Sequence, residues 1–387
     1  MDKKNKNPNV PNLRYYHSDK LSKVKLGNIC SITGGYAFDS RKMKSKGEYQ
    51  IIKMGNLYNG VLDLTRNPSF IDNPTKKELE YLIHKNDILI TLTGTVNKKD
   101  YGYTVQLNNP NNLLLNQRCA LIKPLKINEK YLFYLLNSNN FFKQFYASST
   151  GGTGNQTNVS INDMLNFNMY IANEKNQIII SEFLNKIDQR IETQIKIIDS
   201  IKSQKQQIRN ILFNDIHQTP NCCVQDYVAY EQPQKYIVHD SNYLPYSKVL
   251  IPVLTANQSF ILGYTSENDG VYKKGDCIIF DDFTNESKYV NFPFKVKSSA
   301  LKILQTKEGL LLKFFYEYLQ FLNFEAINHK RHYLSEVAIT EINVPDLKKQ
   351  SYVCKVLSSV DIKLKNEEII LKNYKLQKHF LLANLFV

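Results

Sequence analysis

The sequence predicts an α+β chain: two α/β heads with mixed twisted sheets, separated by two long helices that pair with each other as a coiled coil, the whole an internal pseudo-twofold repeat. Three observations predict it. Residues 177–213, QIIISEFLNKIDQRIETQIKIIDSIKSQKQQIRNILF, and residues 350–386, QSYVCKVLSSVDIKLKNEEIILKNYKLQKHFLLANLF, align without a gap at a constant offset of 173 positions. Identities include Gln177/Gln350, Leu184/Leu357, Asp188/Asp361, Ile197/Ile370, Gln204/Gln377, Lys205/Lys378, Leu212/Leu385 and Phe213/Phe386. Within the first copy, Ile180, Leu184, Ile187, Ile191, Ile198, Ile201, Ile208 and Leu212 recur on alternating steps of three and four, interrupted only by Gln194 and Lys205. With no Pro or Gly in that stretch, such a track is a coiled-coil seam on one continuous helix. Roughly 37 residues at ~1.5 Å rise give a rod of about 55 Å, longer than a core helix of a globular domain ordinarily needs. Finally, each copy is preceded by strand-like and helical runs in the same order.

Taken along the chain, residues 1–20 are rich in Asn, Lys and Pro and are expected to be flexible. The first head spans 21–172. KVKLGNICSI and EYQIIKM have strand character, with Gly34 and Gly35 as a turn. KNDILITL at 85–92 and NQRCALIKPL at 116–125 are further strands, and 129–146, EKYLFYLLNSNNFFKQFY, has helical spacing. A polar loop, ASSTGGTGNQTNVS, leads to the first long helix, placed at 173–217. The second head spans 218–344. There KGDCIIF answers KNDILIT, SSALKIL answers QRCALIK, and KEGLLLKFFYEYLQFL answers the 129–146 helix, at offsets that are no longer constant. The second long helix occupies 345–387. Two heads of one design with divergent loops point to two different targets.

Composition narrows the partner. Fifty Lys and Arg stand against 36 acidic residues, a formal charge of +14, which favours polyanions such as nucleic acid. Twenty-five Tyr and twenty Phe with no Trp supply stacking and strand-forming side chains. The six cysteines form no C-x-x-C pair, and three lie in apolar runs, so they read as reduced thiols of a cytoplasmic protein. The N-terminus has no apolar leader core, and no run approaches 18 apolar residues, so neither secretion nor a membrane span is expected.

Catalytic signatures are missing. There is no Walker A, HExxH or G-x-G-x-x-G motif; the Gly-rich string at 151–154 lacks the following Lys and Ser/Thr, and reads as a loop. VNFPF at 290–294 has the wrong order for an adenine methyltransferase motif. Asp281, Asp282, Glu286 and Lys288 could hold Mg²⁺ for phosphodiester cleavage, but they lie on one turn after a single strand, and the alternative is a DNA-facing loop. His329 and His332 flank Lys330 and Arg331 without two further ligands for zinc, which favours a basic strand end. No catalytic or metal residue is assigned.

At this point the chain resembles a family, the specificity subunits of type I restriction-modification systems. The resemblance rests on the twice-repeated order of globular domain and long helix ending in Leu-Phe. The helix starts YIANEKNQ and NVPDLKKQ resemble the family's Pro-Pro-x-x-x-x-Gln pattern, the first lacking both prolines. The second-half strings YEQPQKYIV, PVLTANQSFILGYT and IIFDDFTNESKYVNFPFKVKSSALKIL look like a recurring target recognition domain. The resemblance implies that each domain reads one half of a bipartite, asymmetric site in double-stranded DNA. It also implies that the two long helices pair as an antiparallel coiled coil, set the unread spacer and dock two methyltransferase subunits, and that two restriction (motor) subunits join the complex. S-adenosylmethionine, ATP and Mg²⁺ belong to those partners; the chain itself is implied to be a non-catalytic subunit without a cofactor.

Bases are read by Arg, Lys, Asn, Gln, Ser and Thr, phosphates by Lys, Arg and hydroxyls. In the first head the DNA-binding candidates are Thr93, Thr95, Asn97, Lys98, Lys99 and Tyr101, with the loop at 151–158 as another. In the second they are Gln234, Lys235, Tyr236, Asn257, Gln258, Thr284, Asn285, Lys288, Lys297 and Ser298, with Arg331 and His332. Two other classes of function stay open on sequence grounds: a self-sufficient DNA nuclease or methyltransferase, and a coiled-coil scaffold whose basic charge is incidental.

Overall fold

The computed structural model describes residues 21–58, 60–151, 155–240, 242–247, 249–255, 260–324 and 332–386. The N-terminal segment 1–20, expected to be flexible, lies outside them. The chain divides into two compact units, Met1–Thr193 with Leu371–Val387, and Gln194–Ile370. Each unit therefore holds one head, the beginning or end of the first long helix (Glu174–His217), and the complementary end of the second (Leu347–Leu385).

The first unit is built on a four-stranded antiparallel sheet in the order Cys30–Gly34, Cys119–Pro124, Ile88–Thr91, Thr104–Gln106. The apolar run in Ile88–Thr91 is buried along its whole length, which is why it shows no alternation. A second, mixed sheet sets Tyr49–Ile52 parallel to Leu113–Leu115 and antiparallel to Phe70–Ile71. Ser22–Lys25 pairs with Asn168–Ile171 and closes the head beside the start of the long helix. The expected single helix at 129–146 is two: Glu129–Leu135 and Asn139–Ala147. Ser138 breaks it, because its hydroxyl accepts the Phe141 N–H as an N-cap, and a cap residue leaves helical geometry. Gly34 and Gly35 are not a turn either. Gly34 ends the first strand, and Gly35 donates its N–H to Cys119 O at 2.9 Å, continuing the ladder.

The second unit repeats this topology. Its four-stranded sheet runs Val228–Glu231, Leu301–Thr306, Cys277–Asp281, Ser287–Val290, again antiparallel. A three-stranded sheet sets Ile251–Leu254 parallel to Lys295–Val296 and antiparallel to Ile261–Thr265. Cys222–Cys223 pairs with Glu341–Ile342 where the first unit has its outer pair. The helix Leu312–Leu322 stands in the place of Glu129–Leu135. KNDILIT and KGDCIIF, and QRCALIK and SSALKIL, thus occupy equivalent strands. Cys30, Cys119 and Cys277 are buried in these sheets, and burial pushes each thiol up to about 12, so all three stay protonated at neutral pH.

Each head holds its own long helix at the first turn through a glutamine. The Gln177 amide donates to Ala172 O at 2.9 Å and accepts the Asn128 N–H at 3.0 Å. Gln350 repeats the clasp, donating to Pro345 O at 2.8 Å and accepting the Leu311 N–H at 2.8 Å. Each head also packs the last turn of the other long helix. In the first unit Phe386 meets the Tyr131 ring at 5.2 Å, and in the second Phe213 meets Phe314 at 5.2 Å. The seam residues Ile180, Leu184, Ile187, Ile198 and Ile201 are buried, as are Val353, Leu357, Leu381 and Leu385 on the second helix.

Ion pairs between the helices run crosswise. Lys378 meets Asp188 at 2.6 Å in the first unit, and Lys205 meets Asp361 at 2.6 Å in the second, each pair joining the same two aligned positions. In the second unit Gln194 and Glu367 also bond across the seam. High partner numbers fall as low ones rise, so the helices run antiparallel there. The interruptions of the apolar track at Gln194 and Lys205 are these contacts.

The two units differ in what the head adds to this lattice. Tyr134 donates its hydroxyl to Asp188 at 2.9 Å in the first. In the second, fully buried Glu317 accepts Lys205 at 3.0 Å and two donors of Arg209 at 2.9 and 3.0 Å. Removing a carboxylate from a buried cluster strands its cations. Glu317→Ala should therefore cost roughly 3–5 kcal/mol in urea denaturation of the full chain, whereas Tyr134→Phe should cost about 1 kcal/mol. Equal, small losses would mean that water already solvates Lys205 and Arg209.

Candidate nucleic-acid interface

Among the described residues the polar candidates gather at one end of each four-stranded sheet; in the first head Thr93–Thr95 is itself a short strand paired with Gln156–Asn158, and Asn97–Tyr101 is the connection after it. The segment following Ile88–Thr91 in the first unit and the one following Cys277–Asp281 in the second are equivalent. Backbone bonds inside a strand leave no donor free for a ligand, so these connections are where side chains can face a partner.

Much of the first segment holds itself together. Asp100 accepts the Thr95 N–H at 2.8 Å and the Thr95 hydroxyl at 2.7 Å. Burial alone would raise the Asp100 carboxyl, but these two bonds outweigh it and hold its pKa below the usual carboxylate range. Residues Thr93–Thr95, expected as a loop, form a strand antiparallel to Gln156–Asn158, and the Thr93 hydroxyl donates to Asn158 at 3.1 Å across that pair. Lys99 lies over the Tyr146 ring at 5.4 Å. Asn97 and Lys98 are exposed; Asn97 adopts a φ of 61°, a left-handed conformation that Asn tolerates. Tyr101 is buried, its hydroxyl bonded to Ser149, and supports the loop from beneath. Of the alternative loop at 151–158, residues 152–154 lie outside the described residues, while Asn155, Gln156 and Asn158 are exposed.

In the second head, Thr284, Asn285 and Lys288 line a groove of about 280 Å³ with Gln320 and Asn323. Gln320 donates to Ser287 at 2.7 Å and joins the helix Leu312–Leu322 to the strand beneath. Gln234 and Lys235 are exposed on the short turn Pro233–Tyr236. Tyr236 itself is buried, its hydroxyl donating to Glu231 at 2.9 Å. Lys297 and Ser298 are exposed on the turn between Lys295–Val296 and Leu301–Thr306. His332 is buried and contacts Glu336 at 2.8 Å. A surface contact by the side chains of Thr93, Tyr101, Tyr236 or His332 is thereby corrected: all four are packed inside the fold. Asn257, Gln258, Arg331 and His329 lie outside the described residues.

The acids that could have formed a nuclease site have other partners. Asp281 caps its own turn, accepting the Phe283 N–H at 2.8 Å and the Thr284 N–H at 3.1 Å. Asp282 accepts the Tyr333 N–H at 2.9 Å and faces buried Lys302 at 3.4 Å. Among the described residues no group of three or more His, Cys, Asp or Glu side chains is placed to hold a metal ion.

The basic cleft of the first unit, which the sequence did not single out, is lined by Lys53, Arg66, Asn67, Asn116, Gln117 and Arg118. Its parts come from four separate connections, so no contiguous motif announces it. A signal did exist: the turn holding Lys297 and Ser298 in the second head has its equivalent at 116–118.

Comparison with known proteins agrees with this architecture. Residues 19–203 match the model of the type I restriction modification DNA specificity domain. The specificity subunit of the type I restriction enzyme EcoR124I/EcoR124II from Escherichia coli is 44% identical over 122 residues, 30% of this chain. That match spans 30% of the relative's own length. The S subunit of a type I restriction-modification system from M. genitalium shares the fold at a TM-score of 0.55 and 16% identity, covering 98% of this chain and 99% of that one. A chain from a structure of type I restriction-modification complex assembly superposes at a TM-score of 0.51 and 13% identity, covering 94% and 96% of the two chains. Residues 19–203 thus match the type I restriction modification DNA specificity domain, and the chain as a whole shares the fold of the solved S subunit.

Proposed function

We propose that this chain is the sequence-specific DNA-binding subunit of a type I restriction-modification complex. Each head reads one half of a bipartite, asymmetric site, and the paired long helices set the unread spacer between the halves. The observation that carries the reading is the repetition of one head topology with different polar side chains on equivalent connections, Gln117 and Arg118 in the first head against Lys297 and Ser298 in the second. A formal charge of +14 supplies the attraction to phosphate.

The chain contributes recognition and has no catalytic centre or cofactor of its own. Two methyltransferase subunits using S-adenosylmethionine and two restriction (motor) subunits using ATP and Mg²⁺ complete the assembly, in the cytoplasm. Apolar side chains left exposed on the long helices support docking there: Ile195, Ile197 and Ile211 on the first, and Tyr352, Ile362 and Leu376 on the second. No helix among the described residues is long and apolar enough to cross a membrane.

Deleting one heptad from both long helices should shorten the spacer in a methylation map while leaving both half-sites intact; an unchanged spacer would refute the ruler role. Exchanging residues 222–335 for the corresponding head of another specificity subunit should alter one half-site alone. In the second groove, Lys288→Ala should weaken binding of the assembled complex to all DNA and reduce the salt slope by about one unit. An altered base preference would reassign Lys288 from phosphate to base contact.

A further inference from the structure

The connection at 116–118 in the first unit is held far more firmly than a surface turn requires. Cys119 closes it by donating its N–H to Asn116 O at 3.0 Å. Three neighbouring segments then clamp its backbone. Asn116 donates to Ile52 O at 3.0 Å, Gln117 donates to Tyr36 O at 2.9 Å, and Arg118 O accepts the Leu92 N–H at 3.0 Å. Gly35 lies so close that a Cβ there would come within 2.2 Å of Asn116 O, so only glycine permits the approach.

The side chains on this rigid turn are, by contrast, unengaged. Gln117 and Arg118 are exposed, and among the described residues neither forms a side-chain hydrogen bond or ion pair. They line a cleft of about 490 Å³ together with Lys53 and Arg66, and among the described residues no acidic side chain lines it. Arg66 sits over the Tyr58 ring at 5.8 Å, and Lys53 donates to Ser69, which fixes both cations at the rim. The second unit has the same device. Lys297 donates its N–H to Leu254 O at 3.0 Å, and Ala300 O accepts the Asp282 N–H at 3.1 Å, holding the turn that bears Lys297 and Ser298. Conserving the backbone clamps while changing the side chains is what a reading position needs.

We infer that the 116–118 turn is a base-reading element of the first head. Arg118 donates to O6 and N7 of a guanine in the major groove, Gln117 contacts the adjacent base, and Lys53 and Arg66 hold flanking phosphates. Arginine matches guanine bidentately, and a turn already fixed by its backbone loses little entropy when it docks. This inference rests on the DNA-binding reading above and assigns which residues read the first half-site.

The test maps methylated bases genome-wide in cells carrying the full chain with its partner subunits, as wild type, Arg118→Ala, Arg118→Lys or the double variant Lys53→Ala/Arg66→Ala. The 222–335 exchange identifies the other head's half-site. Both Arg118 variants should relax one guanine position in the first head's half-site, lowering discrimination about tenfold to a hundredfold, with the other half-site unchanged. The double variant should lower methylation evenly without changing the motif. An unaltered motif in both Arg118 variants overturns the inference while the DNA-binding reading stands. Even loss in Arg118→Ala that Arg118→Lys restores marks a phosphate contact and also overturns it. If deleting the chain removes no methylation motif, the DNA-binding reading fails and the inference with it. Arg118 is exposed, so both variants should melt at the wild-type temperature; the lysine variant, which keeps charge and stem, guards against misfolding.

Discussion

The structure depends on a crossed attachment. Each head grips the first turn of one long helix through a glutamine amide and buries the last aromatic ring of the other. A helix joined to a head at its start alone could swing about that joint. Because each compact unit contains a beginning and an end, the antiparallel pairing is part of both cores. The glutamines suit this purpose chemically. One amide satisfies a carbonyl before the helix and an N–H before the head's short helix, so two otherwise orphaned backbone groups define a single geometry.

Polar contacts then fix which residues oppose one another along an otherwise apolar seam. A seam of Ile and Leu tolerates a shift by a heptad, since one hydrophobic layer resembles the next. The Asp188–Lys378 and Lys205–Asp361 pairs do not, because a shifted register would leave charges facing apolar layers. Glu317 and Arg209 strengthen this in the second unit only; the first has the single Tyr134 hydroxyl at the corresponding place. The two halves are therefore equivalent in geometry and unequal in chemistry. If the heads read different half-sites, as proposed, that inequality is tolerable, since backbone positions and not side-chain identity carry the symmetry.

The long-range plan was legible in the sequence because it depends on periodicity and repetition. The apolar steps of three and four, the 173-residue offset and the matching order of strands need only local pattern. Even the two breaks in the track, Gln194 and Lys205, mark interhelical contacts. The break at Ser138 was less visible, since an N-cap inside an aromatic-rich helical run leaves the apolar spacing intact. Site residues were legible only by type. Tyr101, Tyr236 and His332 look like contact residues by composition, yet tertiary burial turns them inward. Gln117 and Arg118 sit beside a strand with no motif around them, and gain their meaning from Tyr36, Ile52 and Leu92, which are distant in sequence.

Recognition by such a chain requires that backbone position and side-chain identity be separable. A loop that uses its own side chains to hold its shape, as Thr95 and Asp100 do, cannot change them without losing that shape. A turn clamped through N–H and C=O groups can, because every residue but proline carries the same two groups. The Asn116 and Lys297 positions show the arrangement at its simplest: equivalent backbone bonds to Ile52 and Leu254, with unlike side chains alongside. New specificity can arise there by substitution alone. The segments at 93–101 and 281–286 must instead exchange whole internal networks.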